Sequence, residues 1–220
     1  MQARTSRRRV DPEVSDPYVY PGTNVLRNRL NVRDQHILDL VELRAVQTGI
    51  FILKTKPLTL PIGVARLKAT HKAIFGEVYD WAGEFRQNIG SMQKYRPAGY
   101  PVVYPPAMYI PQEMDRIFAE LKKENDLRGL TLDDFAARAA FYYGEMDGVH
   151  PFREGNSRTL RQFFSDLARQ AGYELDWSPA AASEAGREAL YRARDQAAMQ
   201  RKPEALQAIL RGGLTKIQRG

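Results

Sequence analysis

Between positions 150 and 161 the chain reads HPFREGNSRTLR, which brings an imidazole, a carboxylate, a glycine–asparagine turn and two arginines into twelve residues. Each type has its own use in group transfer. His150 can take up a proton near neutral pH. Glu154 offers a hard oxygen of the kind that holds Mg²⁺ on a nucleotide. Gly155-Asn156-Ser157 stands where a helix should begin, and glycine there lets a ligand approach the backbone. A helix's first turn carries unpaired N–H groups and the positive end of the dipole, which together make an anion site. Arg158 and Arg161, three apart, lie on one side of that turn and suit a polyphosphate, one guanidinium per phosphate. Both arginines oppose the dipole's preference for acids at that end, so a purely structural helix start would avoid them. Singly, each residue has a plain structural use: Asn156 as a cap, Phe152 as a core anchor, the arginines as solvated charge. Their conjunction points to phosphate chemistry.

The rest of the chain must hold this segment in place. Val32, Ile37, Leu40, Val41 and Leu43 recur at helical spacing and predict a helix over 31–52. Leu67, Ile74, Phe75 and Val78 predict a second over 62–79, ended by Trp81-Ala82-Gly83. Residues 85–106 then change texture, with four prolines, three tyrosines (Tyr95, Tyr100, Tyr104) and no acid. That stretch has no helical period and predicts a hairpin or extended flap. Its length favours a functional loop, and its tyrosines are candidates for target contact or self-modification, or plain surface residues. Met114, Ile117, Phe118 and Leu121 predict a helix over 108–124. Thr131 caps the next, which carries Phe135, Ala139, Tyr142, Tyr143 and Met146 up to the motif. A helix over 156–171 stops at Gly172; Ser178-Pro179 opens another to 199, and a short one covers 203–211. The expected class is mainly α with one irregular insertion. His36 and His71 fall in predicted helices without a partner motif and are read as structural or surface residues.

Composition narrows the functional classes. The hydrophobic fraction of 43% supports one domain with a real core, and no run of apolar residues is long enough for a membrane span. The absence of cysteine excludes disulfides and thiolate metal sites, and fits a cytoplasmic protein. The net charge of +7 resides at the ends: Arg4, Arg7, Arg8 and Arg9 in front, and Arg201, Lys202, Arg211, Lys216 and Arg219 behind. The body is near neutral, which argues against a nucleic-acid-binding face and for solvated basic tails. The expected organisation is an arm over 1–25 with a basic, disordered first part, a catalytic domain over 26–200, and a basic C-terminal helix and tail over 201–220.

His150, Pro151, Phe152, Glu154, Gly155, Asn156, Arg158 and Arg161 match the signature HPFx(D/E)GNGRxxR, and the chain resembles the Fic family over roughly residues 15–200. The resemblance implies a Fic-type helical core with a β-hairpin flap, and transfer of AMP from ATP to a hydroxyl of a target protein. It also implies the roles. His150 would deprotonate a Tyr, Thr or Ser hydroxyl, and Glu154 would hold Mg²⁺ bridging the α- and β-phosphates. Asn156 and the Gly155–Ser157 backbone would cradle the phosphates. Arg158 would stabilise the departing pyrophosphate and Arg161 would hold the γ-phosphate. The flap at 85–106 would dock the target by strand addition. Ser157 departs from the signature, where a second glycine is usual. The related Doc kinases carry a larger basic residue there and move the γ-phosphate, so kinase-like transfer or another donor stands as the alternative. A degenerate, non-catalytic nucleotide-binding module is a third reading, opposed by the intact His150, Glu154, Asn156 and arginine pair.

The resemblance also bears on regulation. Many Fic proteins carry an inhibitory helix (S/T)xxxE(G/N), and no Ser or Thr of this chain is followed four residues later by Glu. Two settings fit: a small antitoxin that supplies the glutamate in trans, or an effector delivered into another cell. The stretch DPYVYPGTNVLRNRLN resembles the lead-in of short antitoxin-controlled bacterial Fic toxins, some of which modify type II topoisomerase subunits.

Overall fold

The computed structural model describes residues 16–95 and 100–218, together with the backbone of 8–10. The basic start of the arm, residues 1–7, lies outside the described residues. Eight α-helices, two single-turn 3₁₀ helices (Ala107–Tyr109 and Asn125–Leu127) and two small sheets lie among the described residues: β1 (Arg8–Val10), α1 (Gln35–Thr55), α2 (Val64–Phe75), β2 (Met92–Tyr95), β3 (Pro101–Tyr104), α3 (Ile110–Lys123), α4 (Leu132–Val149), α5 (Asn156–Ala171), β4 (Tyr173–Leu175), α6 (Ser178–Ala181), α7 (Glu184–Gln200), α8 (Glu204–Gly213) and β5 (Leu214–Lys216). Among them, no helix is long and apolar enough to cross a membrane.

The centre of the fold is α4. Phe135, Ala136, Ala139, Tyr142, Tyr143, Met146 and Val149 are buried around most of its circumference, which a helix tolerates only when neighbours enclose it. Those neighbours are α3, α5, α7 and α8. The α4–α7 crossing is close because Gly144 faces Ala197: a Cβ on Gly144 would lie 3.0 Å from the backbone carbon and Cβ of Ala197. That approach brings α7 against the motif. A second apolar cluster joins α1 and α2 through Leu38, Val46, Leu53, Ile74 and Phe75, with Val25 and Leu26 of the lead-in segment. A buried Arg66–Asp166 pair at 3.1 Å ties α2 to α5.

The helical class and the hairpin stand as expected: β2 and β3 pair antiparallel, Met92 opposite Tyr104 and Tyr95 opposite Pro101. Arg8–Val10 adds to the other edge of β2, with Arg8 opposite Lys94. Several boundaries differ. The second helix ends at Phe75 rather than 79, because Gly76 starts a turn in which Val78 and Tyr79 keep their apolar contacts without helical geometry. The helix expected over 178–199 is two helices, since the Ser183 hydroxyl accepts from Gly186 N and opens a new one. The segments after Gly172 and after Gly213 pair as β4 and β5, Leu175 opposite Leu214.

Candidate active site

His150 occupies the C-cap of α4 in the left-handed conformation, φ 51° and ψ 61°. Such a backbone is uncommon outside glycine and persists only where the surroundings enforce it. Here they do. Arg86, at the base of the flap, donates from Nε to His150 O at 2.9 Å and from Nη2 to Pro105 O at 2.6 Å. Its backbone N–H donates to Pro151 O at 2.8 Å. Burial lowers the Arg86 pKa to about 10, still charged at neutral pH, at the carbonyl end of α4 where a cation is favoured.

The His150 ring is buried under Tyr104, with ring centroids 3.8 Å apart and planes 18° from parallel. Tyr104 is therefore not a surface tyrosine; Tyr100 is exposed and donates to Asp195 Oδ2, and Tyr95 is exposed. Lys94 Nζ lies 2.8 Å from His150 Nε2, so the ammonium donates and Nε2 accepts. That places the ring proton on Nδ1, which faces Asp147 Oδ1 at 3.8 Å. Burial first, then the Lys94 ammonium, push the His150 pKa well below the usual imidazole value, and Asp147 opposes them in part. The imidazole is thus held neutral at physiological pH with its lone pair on Nε2. Losing Lys94 removes the largest depressing influence after burial, ahead of the Arg194 charge. In Lys94→Met the acid limb of the pH–rate profile should therefore move to higher pH, as His150 stays protonated over a wider acidic range. A limb that stays in place would show that Lys94 does not tune this histidine.

The loop from Pro151 to Gly155 lies over the seam between the two apolar clusters. Phe152 anchors it from the larger one, stacked on His71 at 3.9 Å. His71 Nδ1 accepts from Gly83 N at 2.8 Å and its Nε2 meets Glu154 O at 3.0 Å, so it braces the loop from α2. Burial, then the Arg158 charge, bring the His71 pKa down to about 3, and it stays neutral. The Asn156 amide accepts from Phe152 N at 2.9 Å and donates to Phe152 O at 2.7 Å. Asn156 thus folds the loop on itself. Arg153 Nε donates to Asp16 Oδ2 at 2.8 Å, fastening the lead-in segment to the motif. His36 is exposed on α1.

Gly155 caps α5 at φ 79° and offers no side-chain cap, so the first N–H groups of the helix keep no side-chain partner from it. Arg158 stands over the Phe75 ring at 4.7 Å, with Nη1 2.7 Å from Glu42 Oε1 and Nη2 3.3 Å from Glu154 Oε1. Arg161 has no carboxylate partner among the described residues, and burial lowers its pKa. A mostly buried guanidinium without an acid, beside a helix N-terminus, is prepared for an anion. Ser157 is held by α7: its Oγ accepts from Arg194 Nη1 at 2.8 Å. Ser157 lies in the first turn of α5 and has no positive φ, so its Cβ brings no backbone strain there.

The structure thus brings His150, Glu154, Gly155, Asn156, Ser157, Arg158 and Arg161 to one place. Lys94, Asp147, Arg86, Glu42 and Arg194 join them, and the sequence reading missed all five as site residues, whereas His71 takes the structural part expected of it. Asp147 alone had a signal, being three residues before His150 on one helix face. No group of three or more metal-ligating side chains occurs among the described residues.

The chain is similar to known proteins. A profile of the Fic/DOC family matches residues 61–168. "Protein adenylyltransferase VbhT" of Bartonella schoenbuchensis is 39% identical over 163 residues, which is 74% of this chain and 33% of that protein. "Probable protein adenylyltransferase y4lH" of Sinorhizobium fredii is 40% identical over 170 residues, covering 75% of this chain and 81% of that protein. The chain therefore spans a third of one such relative and most of another. Among solved structures, the N-terminal Fic domain of a VirB-translocated Bep effector protein from Bartonella quintana, with bound ADP, superposes with a TM-score of 0.81 at 25% identity, over 91% of this chain and 95% of that one. With the motif loop inside the matched profile and these identities across most of a named relative, the chain belongs to the Fic/DOC family.

Proposed function

We propose that this protein transfers AMP from ATP to a hydroxyl side chain of a target protein. The observation that carries the reading is a neutral, buried imidazole, His150, joined through Asp147 and Arg194 to Ser157 in the uncapped first turn of α5, whose Arg161 has no carboxylate partner among the described residues. In the reaction the target Tyr, Thr or Ser hydroxyl gives its proton to His150 Nε2 as its oxygen attacks the α-phosphorus. The bond to pyrophosphate breaks, and the pair of electrons leaves on the pyrophosphate oxygen. Lys94 must yield its place at Nε2 to the hydroxyl. Arg161 would take the γ-phosphate and Arg158 the departing pyrophosphate, exchanging its carboxylate partners for phosphate. The α5 N–H groups would cradle the chain of phosphates. Positioning and charge stabilisation supply most of the catalysis in such transfers.

Glu154 would hold Mg²⁺. A single carboxylate beside a phosphate site fits this ion, which keeps much of its water and binds through one or two carboxylates plus substrate phosphates. When bound, Mg²⁺ supplies charge neutralisation at the α- and β-phosphates. The target would dock on the flap through the outer edge of β3, which carries no strand among the described residues. For the target we favour a bacterial protein such as a type II topoisomerase subunit, with an inhibitory glutamate supplied by a small antitoxin; the lead-in resemblance supports this. The likeness to translocated effector domains supports host-directed action instead.

Label transfer tests the reading. Wild type and His150→Ala are incubated with Mg²⁺, ATP labelled at the α- or γ-phosphate, and bacterial or animal-cell lysate. Label from the α-position only, lost in the variant, is expected. Label from the γ-position only would make the protein a kinase of the Doc type, and the lysate that yields the band separates toxin from effector.

A further inference from the structure

One buried side chain outside the motif touches both halves of the site. Arg194 projects from α7 and is 3% exposed. Its Nη2 donates to Asp147 Oδ1 at 2.7 Å and Oδ2 at 2.9 Å, and its Nε to Oδ2 at 3.1 Å. Its remaining nitrogen, Nη1, donates to Ser157 Oγ at 2.8 Å. Asp147 in turn faces His150 Nδ1. One rigid guanidinium therefore spans from the carboxylate behind the base to the phosphate loop. Arg194 lies beyond the 61–168 segment that the family profile matches, and Ser157 is where the chain departs from the signature.

We propose that Arg194 is a positioning residue of the transfer reaction, which fixes Asp147 behind His150 and Ser157 in the phosphate loop as one unit. The inference rests on the adenylyl-transfer reading. A buried ion pair is a poor way to gain stability, since apolar side chains of like volume do as well, whereas a fork of fixed geometry holds two partners in register. The Asp147 carboxylate then keeps the ring proton on Nδ1 and the lone pair on Nε2. On the other arm, Ser157 Oγ is pinned where the α5 backbone turns toward the phosphates. A lysine has the charge without the fork and cannot serve both partners.

Three variants separate the arms in the lysate transfer assay with α-labelled ATP, with rates taken per folded molecule from thermal melts. Ser157→Ala keeps the ion pair; it should raise the KM for ATP roughly tenfold with kcat kept. Asp147→Asn should lower kcat by about 10² with KM kept. The groups around the imidazole are Lys94 and Tyr104 of the flap, Arg86 at its base, Asp147 on α4 and Arg194 on α7, and only Asp147 raises its basicity. Removing that carboxylate should move the acid limb of the pH–rate profile to lower pH. Arg194→Lys should show both effects together. Should the three variants lower only the melting temperature, with KM, kcat and the pH limb unchanged, Arg194 is a core ion pair and the proposal falls alone. Wild type that transfers no label would remove the adenylyl-transfer reading and this proposal with it.

Discussion

His150→Gln is expected to reduce AMP transfer by about 10²–10⁴, the range a general base contributes, while binding of a non-hydrolysable ATP analogue stays unchanged. The two quantities separate because of where the side chain stands. His150 meets Lys94, Tyr104 and Asp147, whereas the groups we assign to the phosphates are Arg158, Arg161 and the first N–H groups of α5. A glutamine amide can still occupy the space and accept from Lys94, so the loop need not rearrange. It cannot take up the hydroxyl proton. Single-turnover transfer and equilibrium binding of the analogue with Mg²⁺ are the paired measurements. Were binding to weaken as much as the rate, His150 would be holding the nucleotide site together and the base would have to be sought elsewhere.

The second large effect concerns the backbone. In Gly155→Ala the new Cβ would lie 2.3 Å from Cε2 and Cζ of Phe75, at a residue whose φ is +79°. Two costs combine: left-handed strain of about 1–2 kcal/mol, and overpacking against a buried ring of about 1–3 kcal/mol. The expected loss is about 2–5 kcal/mol, read from urea unfolding. Phe75 also carries Arg158 on its face, so a displaced ring takes the guanidinium with it and analogue binding should weaken too. Adding Phe75→Leu gives the methyl room but leaves the φ strain, so the double variant should recover part of the lost stability. A single variant as stable as wild type would mean that the loop does not pack on Phe75.

These two positions also show how far the sequence carries. The twelve-residue motif is local: its spacing, its glycine and its placement at a helix start are all readable in one dimension, because a helix N-terminus gathers neighbours within a turn. The α5 helix was legible to the residue, with glycines at 155 and 172 bracketing Leu160, Phe163, Phe164 and Leu167. The helical class and the hairpin followed from periodicity and its interruption. Boundaries failed where burial continued without helical geometry, as at Val78, or where a serine cap restarted a helix inside an apolar pattern, as at Ser183. The β4–β5 pair was not readable, because each strand has three residues and its partner lies about forty positions away.

By itself, then, the sequence determined the class of fold and the gathering of His150, Glu154, Gly155-Asn156-Ser157 and the paired arginines in one segment at a helix start. Only the tertiary structure decided the electrostatic surroundings of His150 and the bracing of the loop. The Nε2 lone pair depends on Lys94 from the flap and Asp147 from α4, and the loop's brace depends on His71 from α2 and Arg194 from α7. Those residues are ordinary in their own segments. Their roles arise from burial and from contacts between elements far apart in the chain, which local spacing does not encode.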